Sequence, residues 1–417
     1  MVKSLNVCDF TPREEIERRL DALRGLMADQ GIHFAVILQN VDLFYFTGTV
    51  QKGVLVVPVD EPPVFFVEKS LFRALYESPL EITPIKKIKE TREILREKNV
   101  LRGNGAMELD VVPFLLAEKW KSILGYDHVA DVSPLIRQVR LAKSEFEIRQ
   151  ILKSGEIVSH VFRKARDIVR EGRQEVAIEA DLVAEGRRRG HQGLLRMRGF
   201  NREMTCALVT QGYSSTVASG GDVPIAGFGL TPAVGQGSSA NIVKKGIPLI
   251  VDYGGGYNGY VTDETRVYVV GEMKECFRKP YEVSREIIED MMDYVKEGVD
   301  TVEVFTRALD YVKRARLEEF FMGHGEGQVA FIGHGFGLEL NEMPVITARH
   351  RMVLREGMVM AVEPKFIIPN EGAVGIEVDF IVRKDGLQRI VETPLDIVSI
   401  PDSPSGSRDR AAGRPDA

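Results

Sequence analysis

The chain reads as an α+β protein of two unequal parts, and three features of its sequence predict this. An amphipathic helical pattern near the N-terminus leads into short β-branched and aromatic runs, a second long helical pattern opens near residue 144, and beyond it helices alternate with strand runs joined by hairpin turns. At 417 residues the chain exceeds one ordinary core. The expected division is a smaller α/β domain at 1–138, a larger α+β domain at 139–400, and a tail at 401–417.

The opening helix is predicted from "TPREEIERRLDALRGLMADQG". Thr11 stands as N-cap, Pro12 at the first helical position and Glu14 as the far side of a capping box; Ile16, Leu20, Leu23 and Met27 form the apolar stripe, and Gly31 ends it. "HFAVILQ", "GVLVVPV" and "PPVFFVE" then read as strands, and residues 112–124 as another helix.

In the larger part, Ser144 and Glu147 form a second capping box ahead of a helix expected at 145–171. Further helical patterns cover 174–189, 275–297 and 301–318, with strand patterns at 204–210, 247–253, 260–270, 358–367 and 376–383. This layout puts helices over a largely antiparallel sheet. The tail "PDSPSGSRDRAAGRPDA" has almost nothing apolar to bury and is expected to be disordered.

Composition removes several functions. With 44% hydrophobic and 28% charged residues the chain belongs with soluble globular proteins. No apolar run approaches the roughly 18 to 20 residues of a membrane span, and the N-terminus lacks a signal-peptide core, so a cytoplasmic protein with no membrane partner is expected. Cys8, Cys206 and Cys276 are too far apart for a thiolate metal knot and are read as buried, reduced thiols. A net charge of -6 with interspersed signs leaves no footprint for nucleic acid. The local basic stretch "GRRRGHQGLLRMRGFNR" is read as a solvated helix end and loop.

Chemistry concentrates in two segments. In "IPLIVDYGGGYNGYVTDETRVYVV", two apolar runs flank a Gly- and Asn-rich turn, which predicts a hairpin bringing Asp252 and Asp263 together. Two buried carboxylates repel unless a cation lies between them. The alternative is that Asp252 caps the turn while Asp263 pairs with Arg266 or a lysine at the surface. In "MVMAVEPKFIIPNEGAVGIEVDFIVRKDG" a second hairpin is predicted around "PNEG", with Glu363 and Glu377 each interrupting an apolar run. "FIGHGFGLEL" adds His334 on a glycine-flanked loop that allows close backbone approach. Four carboxylates and one imidazole form a hard O/N ligand set suited to two divalent ions.

In order and spacing, "VDYGGGYNGYVTDETR", "GHGFGLELNE", "VEP" and "GIE" resemble the five-ligand signature of the pita-bread metallopeptidases: prolidase, aminopeptidase P, methionine aminopeptidase and their non-peptidase relative creatinase. The resemblance implies a C-terminal pita-bread domain behind a creatinase-type N-terminal domain, a layout of the Xaa-Pro branch. It implies Asp252 as ligand of one metal, Asp263 and Glu377 as bridging ligands, and His334 and Glu363 as ligands of the other. Glu363 would also take the proton from a water, as hydroxide, bridging two divalent metals. Manganese is the first choice of ion, ahead of cobalt, zinc and iron. The implied reaction is hydrolysis of Xaa-Pro bonds in a small peptide substrate, by a homodimer.

Departures from the pattern are specific. Asn341 stands where these peptidases usually keep a second histidine, no histidine occurs from Gln192 to Gly323, Gly375 replaces a frequent arginine, and "EPKF" stands for "EPG". An asparagine amide donates to a carbonyl or oxyanion but relays no proton, which makes Asn341 a candidate catalytic residue of altered role. The departures also raise an alternative on the same metal site, creatinase-like C–N hydrolysis or a lyase step on a small metabolite. A metal-free binding module is the third reading. His191 and His324 are expected to face solvent, and Tyr257, Tyr260, Phe331 and Phe336 to lie in the core.

Overall fold

The computed structural model describes residues 9–402; Cys8 and the tail from residue 403 lie outside the described residues. The first helix runs Arg13–Asp29 and buries Ile16, Leu20, Leu23 and Met27, the stripe expected of it. Its start is shifted by one residue. Pro12 is the N-cap, no side chain caps the helix, and Thr11 is buried, so the expected Thr11–Glu14 box does not form. Glu15 instead pairs with Arg18 and Arg19.

The strands of this part form one six-stranded mixed sheet, ordered Ile82–Pro84, Val64–Lys69, Lys52–Pro58, Phe34–Ile37, Gly105–Met107 and Ala130–Asp131. Its two antiparallel pairs follow the three runs read from the sequence; the parallel edges close through short strands too brief to show a pattern.

The second capping box forms. Glu147 N donates to Ser144 Oγ at 3.2 Å and Ser144 N to Glu147 Oε2 at 3.1 Å, opening the helix Glu145–Ile168. Ser144 Oγ also donates to Glu15 at 2.9 Å, tying this helix to the first one. Helices Glu145–Ile168 and Glu175–Arg188 pack on a four-stranded sheet of Val398–Ile400, Tyr260–Val270, Leu249–Tyr257 and Ala207–Gln211. Helices Arg278–Tyr294 and Thr301–Ala315 cover a second apolar core with a five-stranded antiparallel sheet, ordered Glu342–Ile346, Gly333–Gly335, Val359–Val362, Val378–Val382 and Leu387–Arg389. The single antiparallel sheet expected from the sequence is thus divided. Among the described residues no helix is long and apolar enough to cross a membrane.

A buried charge network joins the two parts. Arg140 Nη1 meets Asp42 at 2.7 Å and Glu339 at 2.9 Å, while Lys143 Nζ meets Glu342 at 3.2 Å. Arg198 comes from the basic stretch expected to be solvated, yet it is 8% exposed. It grips Asp110 through Nε at 2.7 Å and Nη2 at 2.8 Å, and reaches Asp42 at 2.8 Å. Such buried pairs stabilise only as a complete set, because removing one partner strands the other charge. Cys206 is buried as expected; Cys276 is exposed, since it lies in a short turn ahead of the helix Arg278–Tyr294.

Glu342 gives this network a pH signature. Burial pushes its carboxyl up, but Arg140 and Lys143 outweigh burial and hold it at about 2. A depressed carboxyl stabilises the fold above its unfolded value, near 4.3, and that stability is lost as pH falls toward 2. Glu342→Gln should lower the urea midpoint at neutral pH by an amount worth about 3 kcal/mol. It should also flatten the decline in midpoint below about pH 4.3. Identical pH slopes for the two proteins would disprove the assignment.

Candidate metal centre

The first predicted hairpin forms between Leu249–Tyr257 and Tyr260–Val270 around Asn258 and Gly259, whose φ values of 49° and 88° fit a type I′ turn. Its register pairs Gly254 with Asp263 and Asp252 with Thr265, so both aspartates lie on one face as diagonal neighbours. Arg266 leaves Asp263 alone: it is fully buried and pairs with Glu264 at 2.7 Å. That excludes the surface ion pair weighed from the sequence. Asp263 N donates to Asp379 Oδ2 at 2.7 Å, fixing the strand at this point.

The second hairpin is built differently from the simple one expected. Val359–Val362 pairs with Val378–Val382, whereas Lys365–Ile368 pairs with Gly372–Gly375 in a separate two-stranded sheet. Glu363 and Glu377 fall at the breaks, where each chain passes from one sheet to the other. Glu377 bridges to Thr265 through two backbone hydrogen bonds of 3.3 Å, which docks the second segment on the first hairpin. His334 is the centre of a short strand, Gly333–Gly335, rather than part of a loop. Its glycines admit the neighbouring strands: a Cβ on Gly335 would strike the backbone of Met343.

These elements bring the predicted residues together. His334 Nε2 lies 3.6 Å from Asp263 Oδ2 and 3.9 Å from both Glu363 Oε1 and Glu377 Oε1. Ligand atoms of Asp263, His334 and Glu377 all fall within 4.8 Å of one another. Glu377 Oε1 is buried and finds no hydrogen-bond partner among the described residues, which leaves a lone pair for a cation. Asp252 joins the cluster through Lys365. Its Oδ2 lies 3.3 Å from Lys365 Nζ, which also contacts Glu363 Oε2 at 2.9 Å and Glu377 Oε2 at 2.7 Å.

The electrostatics follow from burial and crowding. Burial, then Glu377 and Asp252, push the Asp263 carboxyl well above the usual range. Asp252 is also raised by burial, with Lys365 opposing. Burial disfavours the Lys365 ammonium, but Glu363, Glu377, Asp252 and Asp263 overcome that and hold it charged. Thr265 Oγ1 donates to Glu377 Oε2 at 3.0 Å, fixing the orientation of that carboxylate.

A cavity of about 560 Å³ opens over the cluster. Asp252, Asp263, His334, Glu363, Lys365 and Glu377 line it together with apolar Leu195, Met197, Phe331 and Val345 and with charged Arg202, Asp222 and Arg349. Phe331, expected in the core, is therefore a wall residue, whereas Tyr260 and Phe336 are buried as expected. His191 is buried rather than solvent-facing: Nδ1 accepts from Gly193 N at 2.9 Å and Nε2 lies 3.0 Å from Gly254 O.

Asn341 also lines the cavity, and its amide holds the backbone of Arg198. Oδ1 accepts from Arg198 N at 2.7 Å and Nδ2 donates to Arg198 O at 2.9 Å. These two bonds make the side chain a two-point clamp on the backbone of the charge network, and its NH2 group has a second N–H beyond the one given to Arg198. Lys365 was visible in the sequence as a charge in the apolar run "KFII", but its direction depends on a strand break that the pattern does not show.

Comparison with known proteins matches this architecture. Residues 149–384 match the model of metallopeptidase family M24, and residues 19–142 that of the Creatinase/Prolidase N-terminal domain. The Xaa-Pro dipeptidase of Pyrococcus furiosus is 27% identical over 92% of this chain and all of its own length. Among solved structures, the prolidase from Pyrococcus horikoshii OT3 superposes with a TM-score of 0.76 at 24% identity, covering 91% of this chain and 99% of that one. A Xaa-Pro dipeptidase from Bacillus anthracis superposes at 0.79 with 22% identity, covering 92% of this chain and 99% of that one. The larger domain has the pita-bread fold of those neighbours, and the chain belongs to metallopeptidase family M24.

Proposed function

We propose that the chain hydrolyses Xaa-Pro peptide bonds in short peptides, as a metal-dependent dipeptidase or aminopeptidase. The observation that carries this reading is the convergence of Asp263, His334, Glu363 and Glu377 in a cavity that apolar side chains also line, with the unpartnered Oε1 of Glu377 among them. Supporting it, two relatives that span both domains, from Pyrococcus furiosus and Pyrococcus horikoshii, are named Xaa-Pro dipeptidases.

The residues fit a divalent cation on the His334 side of the cluster, held by Asp263, His334, Glu363 and Glu377. Three carboxylates and one imidazole favour manganese, with cobalt, zinc and iron as substitutes. A cation held by these residues would supply Lewis acidity, making a water easier to deprotonate and the scissile carbonyl easier to attack. The chain supplies the rest. Glu363 accepts the proton of the attacking water. Thr265 fixes Glu377, and the backbone of Asp263 is fixed by Asp379. Leu195, Met197, Phe331 and Val345 offer apolar surface suited to a proline ring, which has no amide N–H to bind.

The other chemistry that the sequence raises, C–N hydrolysis or a lyase step, draws on Asn341, the absent upstream histidine and Gly375. The clamp on Arg198 supplies a structural reason for the asparagine that is independent of substrate.

Protein loaded with manganese should cleave Xaa-Pro dipeptides and leave the matching Xaa-Ala dipeptides largely intact; failure on every Xaa-Pro substrate would sink the proposal. Glu363→Gln should lower kcat by about 10²- to 10⁴-fold, the usual worth of a positioned general base. Manganese at a hundredfold excess over its Kd should stabilise the fold by about 3 kcal/mol, read as a rise in melting temperature. His334→Ala should abolish that rise. A melting curve indifferent to both manganese and chelator would argue against a cation in the cluster.

A further inference from the structure

Lys365 is a buried charge inside the cluster that the proposed reaction does not use. The ammonium has three N–H donors and contacts three carboxylates, Asp252, Glu363 and Glu377, so its hydrogen-bonding capacity is filled. The two glutamates divide their oxygens. Each Oε2 turns to Lys365, and each Oε1 turns to His334, where Asp263 Oδ2 joins them. The cluster therefore has two cation-binding faces. One is lined by Asp252, Glu363 and Glu377, the other by Asp263, His334, Glu363 and Glu377.

We propose that the Lys365 ammonium is a covalently tethered substitute for one of the two dications that five such ligands would otherwise hold, so that the site takes a single divalent metal on its His334 face. Asp252 is then the ion-pair partner of Lys365 and not a metal ligand. The inference rests on the reading of the cluster as a metal centre.

Two further observations support it. A second dication would have to bind the same oxygens that the ammonium contacts at 2.7 to 3.3 Å, placing like charges against each other in a buried site. The backbone that carries the lysine is held in place. Its side chain is 3% exposed, its carbonyl accepts from Met322 N at 2.8 Å, and its strand partner is Gly375. At Gly375, with φ of 154°, an added Cβ would lie 2.6 Å from Lys365 Cα and 2.5 Å from Pro364 O, so the two backbones are in close contact.

The test is metal stoichiometry on the full chain, by elemental analysis and manganese titration calorimetry, with electron paramagnetic resonance of the manganese-loaded protein. The wild type should bind one equivalent and show an uncoupled signal. Lys365→Ala should bind two equivalents and show the exchange-coupled signal of a manganese pair; Lys365→Gln, closer in volume, serves if the alanine variant does not fold. Two equivalents or a coupled signal in the wild type would overturn the proposal, a result that needs no variant. One equivalent in both wild type and a folded variant would also overturn it. No bound manganese in the wild type would instead overturn the metal-centre reading beneath it, and the two failures are distinct.

Discussion

Four carboxylates gathered at one point are costly unless a cation compensates them, and the site in the larger domain is organised around that cost. Two devices contain it. Lys365 compensates three of the acids directly, and the lone pairs left over converge beside His334. Around this point the backbone is pinned: Asp379 holds Asp263, Thr265 holds Glu377, and the second segment divides between two sheets where its glutamates fall. The breaks let each glutamate turn one oxygen toward the lysine and the other toward the imidazole.

A second set of buried charges has a mechanical role. Asp42 and Asp110 come from the smaller domain, Arg140 and Lys143 from the connecting segment, and Arg198, Glu339 and Glu342 from the larger one. Because Asn341 clamps Arg198, the wall of the cavity is continuous with the seam between domains. The two buried networks thus share a border, one suited to chemistry and the other to orientation.

Much of this was legible in the sequence, and the parts that were not share a cause. Asn258 and Gly259 announce a tight turn, so the pairing that brings Asp252 and Asp263 to one face could be read directly. Glu363 and Glu377 stood out because each interrupts an apolar run. Local signals failed where long-range partners decide. Thr11 has the chemistry of a cap but is buried, and the helix starts one residue late. Arg198 sat in a stretch that looked solvated because its acidic partners lie 88 and 156 positions away. The hold of Asn341 on Arg198 is equally invisible locally, its partner being 143 residues distant. For Lys365 the residue was plain, but its direction followed from a break between sheets that no periodicity records.

The clamp between Asn341 and Arg198 also bears on how this chain could change over time. One side chain serves as both lining of the reaction chamber and strut of the domain seam. Selection on the lining therefore acts on the seam as well. A lineage that gained an imidazole at this position would also need a new hold on the Arg198 backbone, so altered substrate range and altered domain orientation would tend to be inherited together.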